Sequence, residues 1–154
     1  MIDILFDEAK INDLPKIIEF KIAMFKESGH FDLLADNAVE IILQDYSNLY
    51  QTKKAKHFIA LHNNKIIACV GAFIKDDLPY KYYNTPYYGF IGDVYTIPNE
   101  RKKGISKKLT KFALDWFVEN SISNIKLLAS KDAEHLYKKF GFESTDEMEL
   151  NIKI

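Results

Sequence analysis

Asp93-Val94-Tyr95-Thr96-Ile97-Pro98-Asn99-Glu100-Arg101-Lys102-Lys103-Gly104-Ile105-Ser106 reads as the end of a strand, a short basic turn and the start of a helix. Pro98 closes the strand, and Ile105, Leu109, Phe112, Ala113, Trp116 and Phe117 recur with the period of one helical face. The first turn of a helix carries free backbone N–H groups and about half a positive charge. Gly104 and the small Ser106 permit close approach to that backbone, and Arg101, Lys102 and Lys103 add positive charge beside it. Together they describe a cradle for an anion, most naturally a phosphate or pyrophosphate; on the bare pattern a solvated basic turn remains the alternative. The spacing is neither that of a P-loop nor Gly-x-Gly-x-x-Gly, which argues against a nucleoside-triphosphatase or a nicotinamide enzyme.

Downstream, Ile125 to Ala129 is a short buried strand, and residues 132–140 predict a helix stopped by Gly141. Met148, Leu150, Ile152 and Ile154 then alternate with Glu149, Asn151 and Lys153, which predicts a last strand with one buried face. Upstream, residues 2–6 predict a first strand. Asn12 or Asp13 caps a helix with Pro15 in its first turn and an apolar stripe of Leu14, Ile17, Ile18, Ile22 and Phe25. A second helix from about residue 33 carries Leu34, Ala38, Ile41, Ile42 and Tyr46 on one face. Residues 56–62 and 66–74 form a hairpin around Asn63-Asn64, residues 75–88 a tyrosine-rich loop, and residues 89–97 a further strand. The order β-α-α-β-β-β-α-β-α-β predicts a mixed α/β (α+β) domain, a central mixed sheet flanked by helices.

The chain has 154 residues, 47% of them hydrophobic, with 21 basic and 22 acidic side chains, and no Ser/Gly/Pro-rich linker interrupts it. One domain over residues 1–154 is expected. The net charge of −1 argues against nucleic acid as the main partner. No apolar run approaches the roughly 20 residues of a membrane span. The acids near Met1 do not suit a signal peptide, and a single cysteine, Cys69, suits a reducing compartment, so a cytoplasmic location is expected. No metal site is expected: His57 and His62 are an odd number of residues apart on one strand, and His135 and Tyr137 do not share a helix face.

Arg101-Lys102-Lys103-Gly104-Ile105-Ser106 resembles the Arg/Gln-x-x-Gly-x-Gly/Ala signature of the GNAT acetyltransferases. Ala133-Glu134-His135-Leu136-Tyr137-Lys138-Lys139-Phe140-Gly141-Phe142 is similar to that family's Ala-x-x-Leu-Tyr-x-x-x-Gly-Phe motif, and Ser144 to Leu150 resembles a common ending of bacterial members. The resemblance implies a mostly antiparallel GNAT-like sheet and an N-acetyltransferase that takes acetyl-CoA as cosubstrate. It implies that the backbone of Arg101, Lys102 and Lys103, with Gly104, Ser106 and Lys107, holds the coenzyme pyrophosphate. By the same resemblance the backbone of Val94 and Thr96 aligns the pantetheine arm and polarises the thioester carbonyl, and Tyr137 stands near the sulfur. Two positions depart from the pattern: Ser106 replaces Gly or Ala, and Ser130 stands where many members carry Asn at a pantetheine contact.

Transfer to an amine needs a neutral nucleophile, a polarised carbonyl and a stabilised leaving thiolate. A tyrosine near pKa 10 is a weak acid toward a thiol near 8.5, a mismatch of about 2 kcal/mol, so Tyr137 suits hydrogen bonding to sulfur better than full proton donation. Asp93 is the carboxylate beside the acetyl position; it reads either as the base or substrate anchor, or as a structural acid paired to a Lys. Glu27 and His30, at the end of the first helix, border the acceptor region implied by the resemblance. The expected acceptor is a small-molecule or peptide amine, and Asp32, Asp36, Asp76 and Asp77 would favour a cationic one. A non-catalytic acyl-CoA-binding module and a transferase of longer acyl groups are the alternatives. The alternating last strand is also one through which a homodimer could form.

Overall fold

The computed structural model describes residues 3–81 and 85–153. Met1, Ile2, Tyr82, Tyr83, Asn84 and Ile154 lie outside the described residues, and with them parts of the expected first strand, tyrosine loop and last strand.

The elements are β1 (Ile4–Glu8), α1 (Leu14–Glu27), α2 (Ala38–Gln51), β2 (Ala55–His62), β3 (Lys65–Asp76), β4 (Tyr87–Thr96), α3 (Ile105–Glu119), β5 (Ile125–Leu127) and α4 (Glu134–Lys139). The strands form one sheet in the order β1-β2-β3-β4-β5. The first four pair antiparallel, and β5 runs parallel to β4. Asn63 and Asn64 both take positive φ in the β2–β3 turn, which a two-residue hairpin of matching twist requires.

One face of the sheet packs on α3 through Ile105, Leu109, Ala113, Trp116 and Phe117, as the helical period predicts. The other face packs on α1 and α2 through Leu14, Ile17, Phe20 and Tyr46. Burying apolar area on both faces is the main source of stability in such a three-layer domain.

Three expectations need correction. The buried strand expected over Ile125 to Ala129 ends at Leu127 and is only half-buried, with Leu128 88% exposed, because it lies at the edge of the sheet. The second helix begins at Ala38 rather than near residue 33, after a 3-10 turn over Phe31–Leu33, and of the expected face Ile41 is exposed while Tyr46 is buried. The face of α2 is set by Tyr46, which reaches a buried carboxylate in the sheet. The expected last strand does not form: residues 148–153 take no regular secondary structure, and Met148, Leu150 and Ile152 are 94%, 81% and 74% exposed. Alternation specifies that a segment has an apolar face; it does not supply the neighbouring strand that the segment must pair with.

Candidate active site

β4 pairs with β5 only from Gly89 to Ile91, against Ile125 to Leu127. β5 ends there, at Leu127, while β4 continues to Thr96 without that neighbour. β4 is also irregular in this stretch. Cys69 faces Tyr95 and Gly71 faces Gly92, so Val70 alone stands opposite both Asp93 and Val94. This is a β-bulge, and Asp93 at its first position has φ +53. Aspartate tolerates that left-handed region better than most side chains do.

The bulge has two consequences. Gly89 N–H donates to Asn124 O, toward β5, whereas Ile97 N–H donates to Ile67 O, toward β3. Eight residues separate them, so an unbroken strand would point both the same way; the extra residue reverses the phase. The N–H groups of Val94 and Thr96 therefore face the edge that β5 has left. The bulge also turns the Asp93 side chain onto the α1/α2 face instead of the α3 face.

There Asp93 is almost fully buried and meets three partners. Its Oδ1 accepts from Lys21 Nζ at 2.6 Å, and its Oδ2 from Tyr46 Oη at 2.6 Å and His57 Nε2 at 2.9 Å. Since an ionised carboxylate only accepts, Nε2 of His57 carries the proton, and Nδ1 faces Tyr50 Oη at 2.6 Å. The Cys69 thiol donates to the Asp93 carbonyl at 3.1 Å. Burial pushes the Asp93 carboxyl up, but the His57 hydrogen bond and the Lys21 ammonium outweigh it and hold the group well below the usual carboxylate range. Burial pushes the Cys69 thiol up, which fits an inert core cysteine.

Asp93 stands out in the sequence, but its partners do not: Tyr46 falls on the apolar stripe of a helix, and no spacing links Lys21 or His57 to the strand. The available signal was the aspartate itself, since a strand carboxylate facing the core demands cations and donors around it.

A second network lies nearer the surface. Glu27, the last residue of α1, accepts from Tyr95 Oη and from an Arg101 guanidinium nitrogen, each at 2.8 Å. Arg101 Nε also donates to Thr96 O at 2.8 Å. Arg101, followed by Tyr95, holds the Glu27 carboxyl below its ordinary value. His30 lies just beyond, on the exposed link to α2.

The turn before α3 keeps the expected form, with a redistribution of charge. Lys102 and Gly104 take φ +64 and +74, and such turns aim successive N–H groups at one point. A Cβ on Gly104 would meet no protein atom, so glycine is needed there for its conformation and leaves an open face. Lys108 N–H donates to Gly104 O at 3.2 Å and begins the helical ladder, so the N–H groups of Ile105, Ser106 and Lys107 fall in the unbonded first turn. Arg101 N–H, in contrast, is engaged by Pro98 O at 3.3 Å. Nor do Arg101 and Lys103 offer free cations: Arg101 pairs with Glu27, and Lys103 with Glu100 at 2.7 Å. Lys102 and Lys107 are exposed beside the turn.

β5 leads through the exposed Ser130 to α4, where Tyr137 is buried with its ring edge-on to Phe142 at 5.9 Å. Burial raises the Tyr137 pKa, making it a poorer acid than free tyrosine.

The sheet is thus mostly antiparallel and ends in one parallel pair, with a bulge in β4 and the unbonded first turn of α3 following it in the chain. The chain belongs to the acetyltransferase (GNAT) family, whose model matches residues 23–142. No curated protein matches it by sequence. Among solved structures it is similar to a predicted acetyltransferase with acetyl-CoA from Clostridium acetobutylicum, at 27% identity and a TM-score of 0.87 over 97% of this chain and 96% of that one. A GCN5-related N-acetyltransferase from Ralstonia eutropha JMP134 shares the fold at 22% identity and a TM-score of 0.85, over 97% and 99% of the two chains. An aminoglycoside N-acetyltransferase in complex with CoA shares it at 15% identity and a TM-score of 0.76, over 99% and 96%.

Proposed function

We propose that this acetyltransferase moves an acetyl group from acetyl-CoA directly to a primary amine of a small molecule or peptide. The observation that carries the reading is the bulge in β4, which leaves the N–H groups of Val94 and Thr96 on an edge without a strand partner, a few residues before the unbonded first turn of α3. Bound acetyl-CoA supplies the acyl thioester. Lys102, Lys103, Gly104, Ser106 and Lys107 would hold its pyrophosphate through backbone N–H groups, the Ser106 hydroxyl and the exposed Lys107 ammonium. Arg101 would contribute by bracing Thr96 O, and Ser130 would contact the pantetheine arm from the β5 side. The Val94 N–H would polarise the thioester carbonyl, an electrostatic contribution of the kind often worth about 3 kcal/mol.

The partners of Asp93 favour a positioning role for it: with both oxygens engaged and its pKa depressed, it fixes the bulge and thereby the Val94 and Thr96 backbone. Glu27, also depressed, is better suited to attract an ammonium group than to remove its proton, so the proton leaves through water. Tyr137 donates a hydrogen bond where the leaving sulfur develops charge; its raised pKa supports donation without full proton transfer.

Calorimetric titration tests the reading. Acetyl-CoA and CoA are expected to bind 1:1 with a Kd of about micromolar, and ATP not to bind. Failure of both CoA species to bind would remove the cradle and the enzyme reading with it. In a thiol-release assay, Tyr137→Phe is expected to lower kcat by about tenfold or more with acetyl-CoA affinity nearly unchanged. Equal turnover would take Tyr137 out of the mechanism.

A further inference from the structure

Polar side chains of α1 serve β4 at both ends of its irregular stretch. Lys21 meets Asp93 at the bulge, and Glu27 acts at the strand's end. Glu27 Oε1 accepts from Tyr95 Oη, and Oε2 accepts from Arg101, whose Nε turns back to Thr96 O. Glu27 therefore holds two successive residues of β4, Tyr95 by its side chain and Thr96 through Arg101. The guanidinium also lies over the Tyr95 ring, 5.4 Å from its centroid, and that ring packs against Phe20 at 5.0 Å.

The direction of the Thr96 carbonyl follows from the peptide it belongs to. In a planar trans peptide the C=O and N–H point opposite ways. Ile97 N–H donates to Ile67 O, toward β3, so Thr96 O points away from β3, onto the edge without a strand partner. The Arg101 side chain is thus seated on that edge, while its backbone opens the turn before α3. One cross-link joins the strand edge to the turn, the two devices that acetyl-CoA would engage together.

We propose, on the acetyl-CoA reading above, that Glu27 is a positioning residue for the cofactor: through Arg101 it fixes the spacing between the Val94 and Thr96 edge and the turn. A ligand gripped at two places binds tightly only when the spacing of the grips matches it. A purely electrostatic role would have the opposite sign. Glu27 would then be an anion near a ligand that carries phosphate charges, and its removal would tighten binding. Side-chain exposures of 42% for Glu27 and 43% for Arg101 mean that the pair adds little to folding stability, so its effect is local.

Calorimetry tests this with two ligands: acetyl-CoA, and the phosphoadenosine diphosphate half of coenzyme A, which lacks the pantetheine arm. Glu27→Ala is expected to weaken acetyl-CoA binding about tenfold and to leave the half-ligand, which needs only the turn, within about twofold of wild type. Retained half-ligand binding also shows that the variant is folded. The double variant Glu27→Ala with Arg101→Ala is expected to bind acetyl-CoA about as weakly as Arg101→Ala alone, because Glu27 acts through Arg101. Glu19→Ala, which removes an acid paired to Lys16 on the same helix, should leave both affinities unchanged. Unchanged or tighter acetyl-CoA binding by Glu27→Ala, an equal loss for both ligands, or full additivity in the double variant would overturn the inference and leave the acetyl-CoA reading standing. Wild-type protein that binds neither ligand would overturn both.

Discussion

Asp93→Ala is expected to lower folding stability by about 3–5 kcal/mol, because it leaves a buried cluster without its only anion. Lys21, Tyr46 and His57 all point at this carboxylate, and His57 is fully buried. Tyr46 and His57 are buried and cannot turn to water without disturbing α2 or β2, whereas Lys21, at 22% side-chain exposure, is partly solvated. The left-handed backbone at Asp93 costs about 1–3 kcal/mol and is held in place by these same bonds. The loss should depend on pH in a definite direction. The folded-state pKa of Asp93 lies below its unfolded value, so its contribution is complete above the ordinary carboxylate range. It declines as pH falls below about 4, toward the folded value. Urea denaturation of wild type and Asp93→Asn from pH 7 downward measures this. The gap between them should be widest at neutral pH and narrow in acid; a gap under about 1 kcal/mol, or one constant with pH, would contradict the account. A merely structural role would leave the folded variant's acetyl-CoA affinity alone. The positioning role predicts that folded Asp93→Asn binds acetyl-CoA more weakly, since the bulge sets the direction of the Val94 and Thr96 N–H groups.

What the sequence displayed was local, and what it concealed was long-range. The α3 stripe, the turn at Arg101 to Gly104 and the Asn63-Asn64 hairpin depend on residues a few positions apart, and each takes its expected form. The Asp93 cluster joins residues 72, 47 and 36 positions apart, and no period encodes such a meeting. Nor could β4 be recognised as bulged, because Tyr87 to Ile97 has no regular apolar alternation whose phase a bulge would visibly break. The basic turn was legible as a backbone device. Its side chains were not, since Glu27 and Glu100 engage two of the three cations. The last strand failed for the opposite reason: its alternation is clear, but pairing depends on an edge that composition does not reveal.

Gly71→Ala is expected to cost about 2–3 kcal/mol and to act through the same cluster. A Cβ at this position would stand 2.9 Å from His57 Nε2 and 2.8 Å from the Phe73 ring. Both side chains are buried, so neither can yield cheaply. The nitrogen displaced is the one that donates to Asp93, which makes Gly71 the space on which the His57–Asp93 bond depends. Gly92→Ala is the control: its Cβ would approach Phe90 at 3.3 Å and Phe73 at 3.5 Å, and a small adjustment of those rings relieves it. Gly92→Ala should therefore cost less than Gly71→Ala, within about 1 kcal/mol of wild type. The mechanism makes a further demand on the double variant. If Gly71→Ala acts by pushing His57 off Asp93, its cost must shrink in an Asp93→Asn background, by about 1 kcal/mol or more. Full additivity would mean that the clash is absorbed by Phe73 alone, and that the His57–Asp93 bond survives the intrusion.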